Sequence, residues 1–208
     1  MINVLYDSKE IVVCEKPSGL VSEYVDNAAS SLPAALCAQL GIEKLYTVPR
    51  LDREVSGVMV YAKTQKAASE LTKQITDGSL KKEYLAVISG KLPEDEARLC
   101  DLLFHDRQKN KTYVVKKKRA GVKEAILDYT LLSYNTVEDI STLRIRLLTG
   151  RTHQIRVQLA SRGFPICGDR KYGSSINVKP LRLHSHSLSF IDLKNERETL
   201  TFLSDPVW

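Results

Sequence analysis

STLRIRLLTGRTHQIRVQLASRG, residues 141–163, changes its hydrophobic period partway along. Leu143, Ile145 and Leu147 alternate with Arg144 and Arg146, the period-two pattern of a half-buried strand. Gly150 then allows a sharp turn. RTHQIRVQLASRG follows as a helix, with Thr152 near its cap and Gly163 past its end.

The flanking sequence supplies the other elements. VLYDSKEIVVCEKPSG reads as two short strands around an acidic turn, closed by Pro17 and Gly19. SSLPAALCAQLG (30–41) predicts a short helix capped by Ser31 and stopped by Gly41. SGVMVYAKT, from Ser56, is a compact buried strand. TQKAASELTKQITDG predicts an amphipathic helix with Thr64 as cap, Ala68, Leu71 and Ile75 on one face, and Gly78 at its end. KKEYLAVISG returns to strand, and KTYVVKKKRAGVKEAILDYTLLSY suggests a hairpin whose basic turn includes Gly121. LRLHSHSLSFIDL and TLTFL add two more strands. The expected class is α+β, a mixed and largely antiparallel central sheet with about three flanking helices, since only some connections are long enough for a parallel crossover.

A chain of 208 residues can bury a core as one domain or as two closely joined halves. Charged residues at 27% and hydrophobic ones at 43% describe an ordinary globular composition. The start, MINVLYDSKE, shows no secretory signal pattern, and no apolar run approaches the ~20 residues needed to span a bilayer. We therefore expect a cytoplasmic protein. Cys14, Cys37, Cys100 and Cys167 lie far apart and form no CxxC pair, which favours reduced, mostly buried thiols over a disulfide or zinc framework. The net charge is +6, and its distribution is uneven. Between Arg107 and Glu124 there are eight basic residues against one acid, and between Arg144 and Lys171 seven against one. Such clustering is the electrostatic footprint expected of a nucleic-acid binder, the alternative on charge alone being solvated loops and a charged hairpin.

Two constellations carry chemistry. In RLDREVSG (50–57), Asp52 lies between Arg50 and Arg53. If this stretch is extended, Arg50 and Asp52 point to one side. A carboxylate beside fixed positive charge stays ionised, free to serve as nucleophile, metal ligand or salt-bridge partner; for a metal, companion carboxylates are missing nearby. In GRTHQIR (150–156), Arg151 sits at the helix N-terminus, where free N–H groups and the dipole favour an anion, and where a guanidinium can hold a carboxylate or phosphate bidentately. His153, Gln154 and Arg156 extend the polar surface. Tyr84, within KKEYLAV, is either a core tyrosine or a flat platform for a base. His184 and His186 share a strand face without a third ligand and read as structural.

Taken in order, RLDREVSGVMVYAKT, KKEYLAVISG, LLTGRTHQIRVQLASRGFPICGDRKYG and LRLHSHSLSF resemble the RluA-type family of RNA pseudouridine synthases, over roughly residues 4 to 190. The pairing of RLD with GRTHQIR carries the likeness. It implies a pseudouridine-synthase-like catalytic domain over 1–208, without the S4-like N-terminal module of some relatives. It further implies isomerisation of uridine in a structured RNA, tRNA or rRNA, by an isomerase that uses base flipping and needs no cofactor or metal. By position, Asp52 matches the catalytic aspartate, Arg151 the arginine that pairs with it, and Tyr84 the tyrosine packed on uracil. Arg50 matches the side chain that enters the RNA stack, and Leu183 an apolar residue lining the pocket. Gln154 and Arg156 are expected to contact RNA. No obligate protein partner is evident, and a monomer is the default. Pro49, where many relatives have His, and FIDLKN, in place of a His-Pro ending, depart from the pattern without touching Asp52, Tyr84 or Arg151. The competing readings are an RNA-binding or remodelling protein that keeps the fold without the reaction, and a nucleoside hydrolase using the same aspartate.

Overall fold

Local signals set the helices where the sequence places them. Ser31 accepts from Ala34 N at the start of the first helix, and Thr64 accepts from Ala67 N at 3.1 Å at the start of the second. Each hydroxyl satisfies an N–H that the first turn leaves without an intrahelical partner. The computed structural model describes residues 1–25 and 31–208. Ser30, the first residue of the predicted first helix, lies outside the described residues.

The chain divides into two units, residues 1–82 with 184–208, and residues 83–183. The first carries β1 (Val4–Asp7), β2 (Ile11–Lys16), α1 (Leu32–Leu40), β3 (Tyr46–Thr47), β4 (Ser56–Ala62) and α2 (Gln65–Asp77). The second carries β5 (Lys81–Ser89, its first two residues belonging to the first unit), β6 (Glu96–Asp106), β7 (Lys111–Val115), β8 (Val122–Asn135), β9 (Ile140–Leu147) and α3 (Gln154–Ala160). β10 (Leu183–Ile191) and β11 (Thr199–Leu203) complete the first unit, Leu183 being the last residue of the second.

In the first unit β2 pairs antiparallel with both β1 and β4, β3 pairs antiparallel with β4, and β10 pairs antiparallel with β11. β4 and β10 are parallel, with His184 opposite Ser56 and Ser185 opposite Gly57. Alternate residues of β2 and β4 enter two cores. Ile11, Val13, Val58 and Val60 pack with Leu71 of α2, whereas Val12, Cys14, Met59 and Tyr61 pack with Leu32 and Leu36 of α1. Both faces of these strands are therefore buried, which explains why SGVMVYA reads as a continuous apolar run. Gly57 is required at the crossing of β4 and β10: its φ is 115°, and a Cβ there would lie 2.6 Å from Ser185 N and closer still to the Ser185 carbonyl.

In the second unit every pairing is antiparallel, in the order β5, β9, β8, β6, β7. α3 packs Val157 against Leu103 of β6 and Ala125 of β8, with Tyr172 partly buried beside them. The mixed, largely antiparallel sheet and three helices agree with the expected class. One expectation is corrected. β7 and β8 do not pair with each other, because β6 lies between them and bonds to both. The loop 116–121 therefore crosses over β6 instead of closing a hairpin. In EARLCDLLFHD the charged residues at 96, 98 and 101 mask a strand with one half-buried face.

Candidate active site

In the first unit Asp52 sits in an irregular segment, half-buried, between β3 and β4. Residues 50–52 join no strand, and the backbone turns just after them, with Val55 N donating to Asp52 O at 3.1 Å. Ser22 grips the segment twice, its hydroxyl donating to Leu51 O at 2.7 Å and accepting from Leu51 N at 3.1 Å. Gly19 N donates to Arg53 O, and Ser18 Oγ to Glu54 O. The flanking arginines turn to other partners. Arg50 pairs with Glu23 at 2.9 Å with both side chains largely exposed, and Arg53 Nε donates to Gly19 O at 2.9 Å. An exposed pair of this kind is worth ~0–1 kcal/mol, so Arg50 can leave it at little cost.

Lys16, inconspicuous in IVVCEK, holds this segment. It is the last residue of β2 and only 1% exposed. Its ammonium donates to Pro17 O and Arg53 O at 3.0 Å and to Val55 O at 2.6 Å, so its three protons match three carbonyls. Burial pushes its pKa from 10.5 down to about 8, while the charges of Asp52 and Glu54 pull it back up. The ammonium thus fixes the backbone on the C-terminal side of Asp52 and puts a positive charge near its carboxylate. No local signal betrays it, because two of its partners lie 37 and 39 residues away.

In the second unit Arg151 is half-buried on the turn between β9 and α3. The sharp turn expected at Gly150 places its left-handed residue elsewhere, at His153, with φ 56°, which is also the helix N-cap and uses no side-chain capping bond. Arg151 Nε donates to Glu124 O at 2.8 Å. Gln154 is the latch of the turn: its Oε1 accepts from Arg151 N at 3.0 Å and Thr149 Oγ1 at 2.8 Å, and its Nε2 donates to Ile126 O at 3.0 Å.

The expected exposed polar surface of Gln154 and Arg156 is corrected by this geometry. Gln154 is 3% and Arg156 4% exposed. Arg156 forms a bidentate pair with Asp169, at 2.7 and 2.8 Å, under the ring of Tyr172. Apolar α3 neighbours, Val157 and Leu159, draw that helix face inward, and the guanidinium goes with it. Exposed positive charge in this unit lies on the turn 107–110 and the loop 116–119, with Arg119 stacked over Phe104 at 4.7 Å, and also at Arg144, Arg146, Arg170 and Lys171. Tyr84 is 4% exposed in mid-β5, opposite Ile145, and Leu183 is 3% exposed at the start of β10.

His184 and His186 are held by hydrogen bonds, the first to Ser56 Oγ and Ser204, the second to Ser204 O. Burial keeps His184 below the ordinary histidine range, so its imidazole is neutral near pH 7. Among the described residues no group of three or more His, Cys, Asp or Glu is arranged to hold a metal ion. No described helix is long and apolar enough to cross a membrane.

The fold is that of pseudouridylate synthase domains. Human RNA pseudouridylate synthase domain containing 1 superposes with a TM-score of 0.80 at 20% identity, covering 99% of this chain and 84% of that one. Human RNA pseudouridylate synthase domain containing 4 gives 0.78 at 22% identity, covering 98% and 88%. Residues 10–161 match the family described as RNA pseudouridylate synthase. The chain belongs to that family, in its RluA-type branch. It is 34% identical over 192 residues to an "uncharacterized RNA pseudouridine synthase" of Aquifex aeolicus, covering 88% of this chain and 60% of that protein. It is also 34% identical over 182 residues to ribosomal large subunit pseudouridine synthase D of Xanthomonas campestris, covering 85% and 53%. It thus spans somewhat over half the length of these relatives.

Proposed function

We propose that this chain isomerises uridine to pseudouridine in a structured RNA, tRNA or rRNA, in the cytoplasm and as a monomer, its two units acting as one catalytic domain. The observation that carries the reading is the setting of Asp52, a half-buried carboxylate on a segment fixed by Ser22 and by the buried ammonium of Lys16. A fixed, accessible carboxylate suits a nucleophile, since little reorganisation is needed at the moment of attack.

The target nucleotide leaves its stack at a cost of a few kcal/mol. Arg50, released from Glu23, fills the vacated space and offsets part of that cost. Asp52 forms a bond to the base or to C1′, and the N1–C1′ bond breaks. Uracil rotates while held in the pocket, C5 bonds to C1′, and Asp52 is released. C5 then loses its proton while N1 gains one, so the product is an isomer. Arg151 takes the part of the arginine that the family pattern pairs with the catalytic aspartate. Tyr84 packs on the base; a free tyrosine has a pKa of about 10, so a phenol is a poor base for C5 at neutral pH without help. No step transfers electrons, so the sequence of bonds requires no redox group.

Tritium release from 5-tritiated uridine in transcribed tRNA and rRNA tests this reading. The wild-type chain is expected to release tritium into water with the base still attached, and Asp52→Asn to release none while still binding RNA. Appearance of free uracil would make the chain a hydrolase, and RNA binding without release would make it a binder only.

A further inference from the structure

Four side chains that the reaction does not call on converge behind the Arg151 turn. Thr112 of β7 is 1% exposed, and its hydroxyl donates to Thr152 O at 2.8 Å. That donation leaves the oxygen to accept from His105 Nδ1 at 3.0 Å, which fixes the His105 tautomer. The backbone N–H of Thr112 donates to Tyr172 Oη at 2.9 Å. Tyr172 Oη lies 2.8 Å from His153 Nδ1 and, already accepting from Thr112, directs its own proton there. Burial pushes the Tyr172 phenol above its ordinary range, so that proton stays on oxygen.

One residue on β7 therefore holds both the carbonyl and, through Tyr172, the ring of the two residues that follow Arg151. The turn needs such support. His153 is a non-glycine residue in left-handed backbone without a capping bond, a conformation that persists only where its surroundings impose it. The hold also reaches from the β6–β7 hairpin, whose tip carries the exposed Arg107 and Lys109.

We propose that Thr112 is a positioning residue for Arg151, and that the basic hairpin thereby sets the orientation of the guanidinium used in the reaction. The inference rests on the role given to Arg151 above. Thr112→Val removes the hydroxyl and keeps both the shape and the backbone N–H for Tyr172. Losing this buried bond at the turn lowers single-turnover kcat about tenfold, with the RNA dissociation constant unchanged. Thr112→Ser, which keeps the hydroxyl, restores the rate, and Tyr172→Phe lowers it in the same manner. A purely structural role would lower thermal stability in both Thr112 variants with kcat intact per folded molecule. If wild type is active and Thr112→Val matches its kcat, or loses affinity alone, the inference fails while the function stands. If wild type converts no uridine in any RNA, the function and this inference fail together.

Discussion

Lys16→Met tests the hold on the Asp52 segment through stability and pH. At one pH the effect of the substitution is a difference of comparable terms. Three hydrogen bonds from a charged donor are lost, at ~1.5–3 kcal/mol each, and the cost of burying an ammonium is relieved. The pH dependence isolates the second term. The folded pKa of about 8 lies below the unfolded 10.5, so the unfolded chain binds more protons between those values. Stability therefore rises with pH across that window. The penalty is about 3.5 kcal/mol, from a gap of 10.5 − 8 = 2.5 pH units at ~1.4 kcal/mol each; it is fully present well below pH 8 and mostly lifted by pH 10.5. Between pH 7 and pH 9.5 the linkage relation gives wild type a gain of about 2 kcal/mol from Lys16. Methionine has nothing to titrate. Urea unfolding of both proteins at pH 7, 8, 9 and 9.5 should show wild type gaining about 2 kcal/mol on the variant, since other titrations cancel in the difference. Parallel curves would refute the buried, strained ammonium.

Asp169→Asn leaves the Arg156 guanidinium buried without its counter-charge and should cost about 3–5 kcal/mol in urea unfolding, most of it recovered in the double variant Arg156→Met/Asp169→Leu. Gly57→Ala pushes a Cβ into the Ser185 backbone at positive φ and should destabilise by more than about 3 kcal/mol, read as a collapse of the melting temperature. RNA binding should weaken linearly in log K against log salt, with a slope steeper than about −3; a flat slope would exclude phosphate neutralisation by the exposed 107–110 and 116–119 charges.

What the sequence made legible follows from the range of each signal. Thr64 and Gly78 bound α2 because cap and stop act within three residues. β9 is legible because alternation is a property of the strand itself. β6 was not, since its pairing with both β7 and β8 leaves no mark in EARLCDLLFHD. RLD and GRTHQIR announced themselves by residue type, and the structure puts RLD and the first four residues of GRTHQIR on irregular backbone, with QIR opening α3. The burial of Arg156 was hidden for the same reason as β6: its partner, Asp169, is 13 residues away in a loop with no periodicity.

The two motifs share a construction that accounts for the rest. Asp52 and Arg151 both stand on segments whose carbonyls and N–H groups do not join a strand ladder, and unsatisfied backbone in a partly buried place is costly. In each case a buried polar side chain from regular structure supplies the missing partners: Lys16 at the end of β2 for one, Gln154 at the start of α3 and Thr112 in β7 for the other. A loop lets a charged group reach outward, and the buried donor keeps that loop in one conformation. The residues that define the chemistry are therefore conspicuous in the sequence, while those that give them their geometry look like stray polar residues in apolar elements. Lys16 in IVVCEK and Thr112 in KTYVV are such residues, and a polar side chain at the buried face of a strand beside an active loop is where positioning should be sought first.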